Sequence, residues 1–409
     1  MERTVESASL YVHVPFCDGR KCDYCDFYSL PVMAGDGRLP AFIDNLLGEA
    51  ERLHKAYRHM IIPSLYIGGG TPSVLGPAGI KRLLKGLLKT IGRVSPPPVE
   101  ITVEANPESA GESFLAAVRE GGASRLSLGI QTFYGPSRRA VHREGDETLL
   151  HERLSLAAAY FPGAFSADII SGLPFQNEKT LAGDIAALIS HKPAHVSLYA
   201  LSEEPGTELA AKKADGSLAF PEGDEADGLW LCGRDMLEKA GYSQYEVSNF
   251  CLPGKQSLHN IRYWLMQNWL ALGPAASGTI ICDQSGSATR YTITPNLGAW
   301  LSSGGCSFSP DPALASKLSS AILWEELDTL TLIKETFLMG FRYIKGPDET
   351  LFRSRFHAGI EDLIPKTLAA WRARSLVRLD KYAMTKEGLL LLNCFLLEAF
   401  KELDDMPSE

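Results

Sequence analysis

Six short apolar-rich runs recur along the first half of the chain, at Leu10–Val14, Ser64–Ile67, Val99–Val103, Arg125–Ile130, Phe165–Ile170 and His195–Ala200. Each is rich in Val, Ile, Leu, Tyr or Phe and has the length of a strand. The first, Ser9-Leu-Tyr-Val-His-Val14, alternates along its length. Between the runs, apolar residues return at helical spacing over Leu39–Arg58, Pro77–Ile91, Ser109–Glu120, Glu147–Tyr160 and Glu178–His191, which predicts amphipathic helices. Strand then helix, repeated in this order, predicts parallel strands joined by helical crossovers. The fold class expected is α/β, an open, partial TIM-like barrel of six strand–helix units.

The unusual residues fall just after these strands. Cys17, Cys22 and Cys25 follow the first; Gly68-Gly-Gly-Thr-Pro72 ends the second; Glu104-Ala-Asn-Pro107 ends the third; Gln131 ends the fourth. Asp168 lies in the fifth, with Gly172-Leu-Pro174 just beyond it. In barrels of parallel strands, chemistry gathers at the carboxyl ends. A glycine run lets backbone approach a ligand, and carboxylates and amides there can accept from hydroxyl or amino groups. Taken singly, each has an ordinary explanation: a tight turn for the glycines, a helix cap or surface position for a carboxylate. Together they mark one edge of the barrel.

Three cysteines within nine residues, with no fourth nearby, leave a four-iron cluster one thiolate short. A structural zinc site would need a fourth tight ligand; His13 is available but lies on the strand before the loop. A disulfide ranks last. The N-terminal Met1-Glu-Arg-Thr-Val-Glu-Ser7 is polar and has no signal-length apolar core, so a reducing, cytoplasmic location is expected. The other cysteines, Cys232, Cys251, Cys282, Cys306 and Cys394, are isolated. With 45% hydrophobic and 22% charged residues and a net charge of −9, the composition is that of a globular protein without a surface for nucleic acid. No apolar run reaches the roughly 20 residues that span a bilayer.

The stretch Tyr11-Val-His-Val-Pro-Phe-Cys17-x4-Cys22-Asp-Tyr-Cys25-Asp-Phe27 resembles the cluster loop of radical S-adenosylmethionine (SAM) enzymes. It is most similar to the group that holds the oxygen-independent coproporphyrinogen III dehydrogenases and the HemW haem chaperones. The family spacing is Cys-x3-Cys-x2-Cys, and Asp18-Gly-Arg-Lys21 carries one residue more. Leu65–Ser73, Glu100–Pro107, Leu126–Phe133 and Asp168–Pro174 resemble successive motifs of the same family. The resemblance implies a 4Fe–4S cluster on Cys17, Cys22 and Cys25. It also implies contacts to SAM from Tyr11, Gly69, Gly70, Thr71, Glu104, Gln131, Arg143 and Asp168, with Tyr24 shielding the cluster or stacking on adenine. SAM would chelate the open iron through its amino and carboxylate groups, ready for one-electron cleavage of a carbon–sulfur bond.

Within the group, three features turn the resemblance toward the haem chaperones. Phe27 stands where the dehydrogenases carry a further cysteine, and the chain starts only a few residues before its first strand, where they carry a long extension. His259-Asn260-Ile-Arg-Tyr263-Trp264 resembles the His-Asn-x-x-Tyr-Trp motif of HemW, which implies haem bound by His259, Asn260, Tyr263 and Trp264. From the residues alone, a buried histidine among core aromatics is the commoner arrangement. The next segment, Leu272-Gly-Pro-Ala-Ala-Ser-Gly278, has Ala275 and Ser277 where HemW proteins frequently have Gly and His.

The organisation expected is a barrel over residues 1–240 with its cluster loop at 17–27, a family-specific extension over 241–305 and a small, mostly helical, winged-helix-like unit over 313–409. Ser302–Pro312, rich in Gly, Ser and Pro, is the expected linker. The function implied is haem binding and transfer to an acceptor protein, with an electron donor if SAM is cleaved and peripheral contact with membrane-bound acceptors. The alternative is a dehydrogenase or methyltransferase acting on a tetrapyrrole or another substrate.

Overall fold

A computed structural model of the chain describes residues 5–33, 35–93, 95–308 and 321–406. Six parallel strands form its centre: β1 (Ser9–Val14), β4 (Ser64–Gly69), β5 (Glu100–Ala105), β6 (Arg125–Gln131), β7 (Phe165–Ser171) and β8 (His195–Ala200), paired in that order. Between β1 and β4 lie β2 (Phe16–Asp18) and β3 (Leu30–Val32), a separate parallel pair. The crossovers are α1 (Arg38–Ala56), α2 (Gly76–Ile91), α3 (Glu112–Gly121), α4 (Gly135–Ala140), α5 (Glu147–Tyr160) and α6 (Glu178–Ser190). Beyond β8 come α7 (Glu208–Ala214) and α8 (Asp224–Lys239). All six expected strands and all five expected helices are present, with ends moved by a few residues.

Strand alternation divides the two sides of this sheet by polarity. One side carries Leu65 and Ile67, Ile101 and Val103, Leu126 and Leu128, Ala167 and Ile169, and Val196 and Leu198, all within the main hydrophobic core. The other side carries Ser64 and Tyr66, Thr102 and Glu104, Ser127 and Gly129, Ser166 and Asp168, and His195 and Ser197, which meet in register across adjacent strands. The crossover helices cover the first side. The second becomes a polar barrel interior.

The segment expected as an extension enlarges the same sheet at both edges. β10 (Asn249–Cys251) adds antiparallel to β8 and β9 (Ser243–Gln244) antiparallel to β10, and α9 (Leu258–Trp264) follows. β11 (Trp269–Leu272) pairs parallel with β1, and β12 (Ser277–Cys282), β13 (Ser287–Ile293) and β14 (Ile322–Leu327) continue antiparallel. Ala275 adopts φ 67°, a left-handed conformation that glycine takes without strain. Ser277 Oγ donates to the Tyr291 carbonyl at 3.0 Å within the β12–β13 pair.

The expected linker is corrected over its first part. Ser302 ends α10 (Leu297–Ser302), and residues 303–308 pack on α1, with Cys306 and Phe308 buried; residues 309–312 lie outside the described residues, as do 313–320 of the expected C-terminal unit. Glu49 of α1 holds this arrangement. Its fully buried carboxylate accepts from Gly273 N at 2.8 Å, Trp300 Nε1 at 3.1 Å and Cys306 N at 2.8 Å. The C-terminal helices Thr329–Gly340, Glu349–Phe356, Pro365–Ala373 and Leu392–Asp404 surround a second core of Phe337, Phe341, Trp371 and Phe395. Between the third and fourth of these helices, Val377 and Met384 form an isolated antiparallel bridge. Among the described residues, no helix is long and apolar enough to cross a membrane.

Glu49→Ala removes the acceptor from three buried N–H donors, at about 1–3 kcal/mol each. The variant should lose at least about 3 kcal/mol of stability, read as a lower urea midpoint; an unchanged midpoint would show that the extension is held by other contacts.

Candidate functional site

At the carboxyl ends of the six parallel strands a cavity of about 450 Å³ is lined by Cys17, Cys22, Tyr24 and Cys25 from the cluster loop, facing Gly69, Gly70, Thr71, Glu104, Gln131, Arg143 and Asp168. The predicted cluster and cofactor positions thus share one chamber, with one exception. Tyr11 is not on its wall: the Tyr11 hydroxyl is 2.9 Å from His13 Nδ1, and its ring packs toward Tyr66 at 6.3 Å.

The loop is built from a short parallel pair and a turn. Cys17 lies in β2, whose pairing with β3 closes the base of the loop, and the Gly19 amide donates to the Val32 carbonyl at 2.9 Å. Gly19 takes φ 63°, turning the chain inside the longer gap between the first two cysteines. The Gly70 backbone passes so close to Phe16 that a Cβ there would stand 2.3 Å from its carbonyl oxygen. All three cysteines are free of disulfides. Burial pushes the Cys17 thiol up and the Cys25 thiol to about 11, so metal loading must displace protons from them.

An ionic knot not apparent in the sequence fastens this loop. Asp23, between two of the cysteines, has a fully buried carboxylate. It lies 2.6 Å from His142 Nδ1 and accepts from Lys212 Nζ of α7 at 2.5 Å. Backbone bonds add to the knot: Asp23 N donates to Val141 O at 3.3 Å, and Leu209 N to Asp23 O at 2.9 Å.

The far wall offers polar atoms with few partners. Arg143 donates through one terminal nitrogen to Cys22 Sγ at 3.7 Å and through the other to the Gly129 carbonyl, while its Nε has no partner among the described residues. Gln131 adopts φ 66° where the β6–β7 register shifts, and its buried Oε1 also lacks a partner. Glu104 accepts from the Tyr66 hydroxyl at 2.5 Å and from Gly69 N at 3.3 Å. Gly68 leaves room for that carboxylate, since a Cβ there would stand 2.7 Å from Glu104 Oε2. Burial raises Glu104 to about 7 and Asp168 to about 6. Asn106, not singled out from sequence, donates to Thr71 Oγ1 at 3.1 Å and shapes the same wall.

Three convergent thiols, a buried arginine with a free donor, a glutamine with a free acceptor and two carboxylates suit a metal cluster on three sulfurs beside a zwitterionic cofactor. An oxygen-rich or closed four-ligand metal site would present a different donor set.

The residues expected to hold haem lie elsewhere. α9 crosses the amino ends of β1, β4 and β5, on the opposite end of the barrel from the cysteines. Glu100, first in β5, accepts from Leu258 N at 2.9 Å and His259 N at 3.0 Å. His259 is 2% exposed, with Nδ1 2.9 Å from Ser64 Oγ. Asn260 and Tyr263 are partly buried, Tyr263 edge-on to His259 at 5.1 Å. Trp264 packs beside Tyr245 and Tyr343.

Residues 11–188 match the Radical SAM superfamily. The mitochondrial radical S-adenosyl methionine domain-containing protein 1 of Mus musculus is 35% identical over 69% of this chain, which spans 63% of that protein's length. The Heme chaperone HemW of Buchnera aphidicola is 31% identical over 73% of this chain and 77% of its own. The Escherichia coli coproporphyrinogen III oxidase HemN shares the fold, with a TM-score of 0.77 at 22% identity over 97% of this chain and 91% of the other. Six parallel strands with three thiols at their carboxyl ends, together with these matches, place the chain in the radical SAM superfamily, whose members hold a 4Fe–4S cluster and SAM, and within it in the family of the HemW proteins.

Proposed function

We propose that the chain is a radical-SAM-type haem chaperone, which binds haem and passes it to an acceptor protein. The observation that carries the radical SAM part is the single chamber where Cys17, Cys22 and Cys25 face the unpartnered Arg143 Nε and Gln131 Oε1. The haem part is supported by kinship with proteins named as haem chaperones. Phe27, 58% exposed at the chamber mouth, occupies the place of the dehydrogenases' extra cysteine, which argues against decarboxylation of a coproporphyrinogen.

In this reading Cys17, Cys22 and Cys25 ligate three irons of the cluster. When bound, cluster and SAM supply an open iron coordination site and one-electron chemistry at a carbon–sulfur bond. The protein's own part is placement. Arg143 offers its free Nε–H to a carboxylate, while one terminal nitrogen donates to Cys22 Sγ. Glu104 and Asp168 present acceptors to amino or ribose hydroxyl groups, and Gln131 presents its amide oxygen. Tyr24 lines the chamber beside Cys22. The knot at Asp23 keeps the loop from swinging away. An acceptor protein, an electron donor and peripheral contact with a membrane-bound acceptor complete the proposal.

Anaerobic reconstitution with iron and sulfide, followed by haem titration, tests both halves. Wild-type protein should hold about four irons and take up haem with a saturating absorbance change. Cys25→Ala should retain less than about half that iron. Zinc in place of iron, or no haem uptake by loaded protein, would refute the corresponding half.

Asp23→Asn should shorten the lifetime of the loaded cluster under a chelator and cost about 3 kcal/mol of stability, because it leaves Lys212 and His142 without their buried anion. Equal chelation rates would show that the knot plays no part in holding the loop.

Protons should compete with SAM. A carboxylate whose pKa is raised holds its proton more tightly, and a ligand with ammonium and sulfonium charges favours the ionised form. Affinity should therefore be complete only well above pH 7 and fall, on the order of tenfold, as pH drops through about 7 and then about 6, the values to which burial raises Glu104 and Asp168. Equilibrium dialysis across that range gives the profile; a flat one would exclude both carboxylates from the contact.

A further inference from the structure

One column of β4 side chains faces the barrel interior: Ser64, Tyr66 and Gly68, alternate residues of a single strand. Ser64 meets the His259 imidazole, 2.9 Å from Nδ1. Next along the strand, the Tyr66 ring lies against the same imidazole, centroids 5.0 Å apart and planes 31° apart. The Tyr66 hydroxyl donates to Glu104 Oε1 at 2.5 Å. Gly68 then supplies the space the Glu104 carboxylate occupies. A continuous path of contacts thus runs from the floor of the barrel to the wall of the cluster chamber.

His259 is fixed at the base of this path. Ser64 Oγ donates to Ser9 Oγ at 2.9 Å, so it accepts from His259 Nδ1–H, and Arg262 Nε donates to the same Ser9 Oγ at 2.8 Å. This arrangement makes Nε2 the unprotonated nitrogen. Burial holds His259 neutral, its pKa pulled down to about 3, and a bare acceptor without a partner costs less than a bare donor would. With 2% of its surface exposed and α9 anchored by Glu100 on two backbone N–H groups, the imidazole has no face open to a macrocycle.

We propose that His259 is a positioning residue for the SAM chamber: it supports Tyr66 from beneath, and Tyr66 in turn fixes the Glu104 carboxylate that the cofactor meets. The motif that resembles a haem-binding signature then acts on the cofactor end of the barrel through its floor. The proposal rests on the reading of the cluster chamber as the SAM site.

The test uses the full chain, anaerobically reconstituted, with SAM affinity from equilibrium dialysis and haem uptake from absorbance on the same preparation. His259→Ala and Tyr66→Phe should each weaken SAM by about tenfold, and the double variant by no more than the larger single loss, because both act on one contact. His259→Phe keeps a ring under Tyr66 and should stay within about twofold of wild type. Haem uptake should be unchanged throughout. The proposal is overturned if His259→Ala keeps wild-type SAM affinity, if the two losses multiply to about a hundredfold in the double variant, or if haem uptake alone is lost. Should His259→Ala fail to fold, folded His259→Phe decides, a tenfold loss of SAM affinity counting against support by the ring. Wild-type SAM affinity in Glu104→Gln would instead remove the chamber reading, and the proposal with it.

Discussion

A barrel interior made of polar side chains inside an apolar shell must satisfy its own hydrogen bonds, because burying such groups without partners costs several kcal/mol. This constraint organises the molecule. Ser64, Tyr66, Glu104, Asp168 and His195 point inward from strands whose other side packs on helices, and their partners come from neighbouring strands or from the segments that close the two ends. His195 is satisfied in this way, with Ser166 Oγ at 2.8 Å and the Tyr245 hydroxyl at 2.8 Å. The atoms without protein partners at the cysteine end, Arg143 Nε and Gln131 Oε1, are where a ligand can complete the network.

The two ends are closed by different means. At the amino end, α9 lies across the strands and is pinned through Glu100, Ser64 and Ser9, giving a dry floor of His259 and Tyr263. At the carboxyl end the closure is a loop with cysteines for contacts, held by the Asp23–Lys212 ion pair, by the Asp23–His142 hydrogen bond and by the short β2–β3 pair. A rigid floor under an open mouth suits a site that exchanges small molecules while its carboxylates stay in place. Tyr66 connects the two, being in contact with both His259 and Glu104.

The added strands β9 to β14 extend the sheet past both edges of the barrel, so the chain's second half is covalently later but structurally continuous with the first. Glu49 makes that continuity specific: one carboxylate in α1 gathers N–H groups from residues 273, 300 and 306. Burial raises its pKa against the pull of those donors.

Local pattern alone determined the strand–helix units, because their signals are short-range: β-rich runs, helical periodicity, and glycines or cysteines at strand ends. It also placed Cys17, Cys22, Cys25, Glu104, Gln131 and Asp168 on one edge, since parallel strands put every carboxyl end on the same side, while Arg143 came from the family resemblance. Only the tertiary structure decided what depends on distant residues meeting. Asp23 reads as a loop aspartate until Lys212 arrives 189 positions later, and Glu49 as a surface helix residue until residues 273–306 cover it. His259 follows the same rule: its sequence neighbours suggest a ligand-binding motif, while the strands it meets, 195 positions away at Ser64, make it the floor of the barrel.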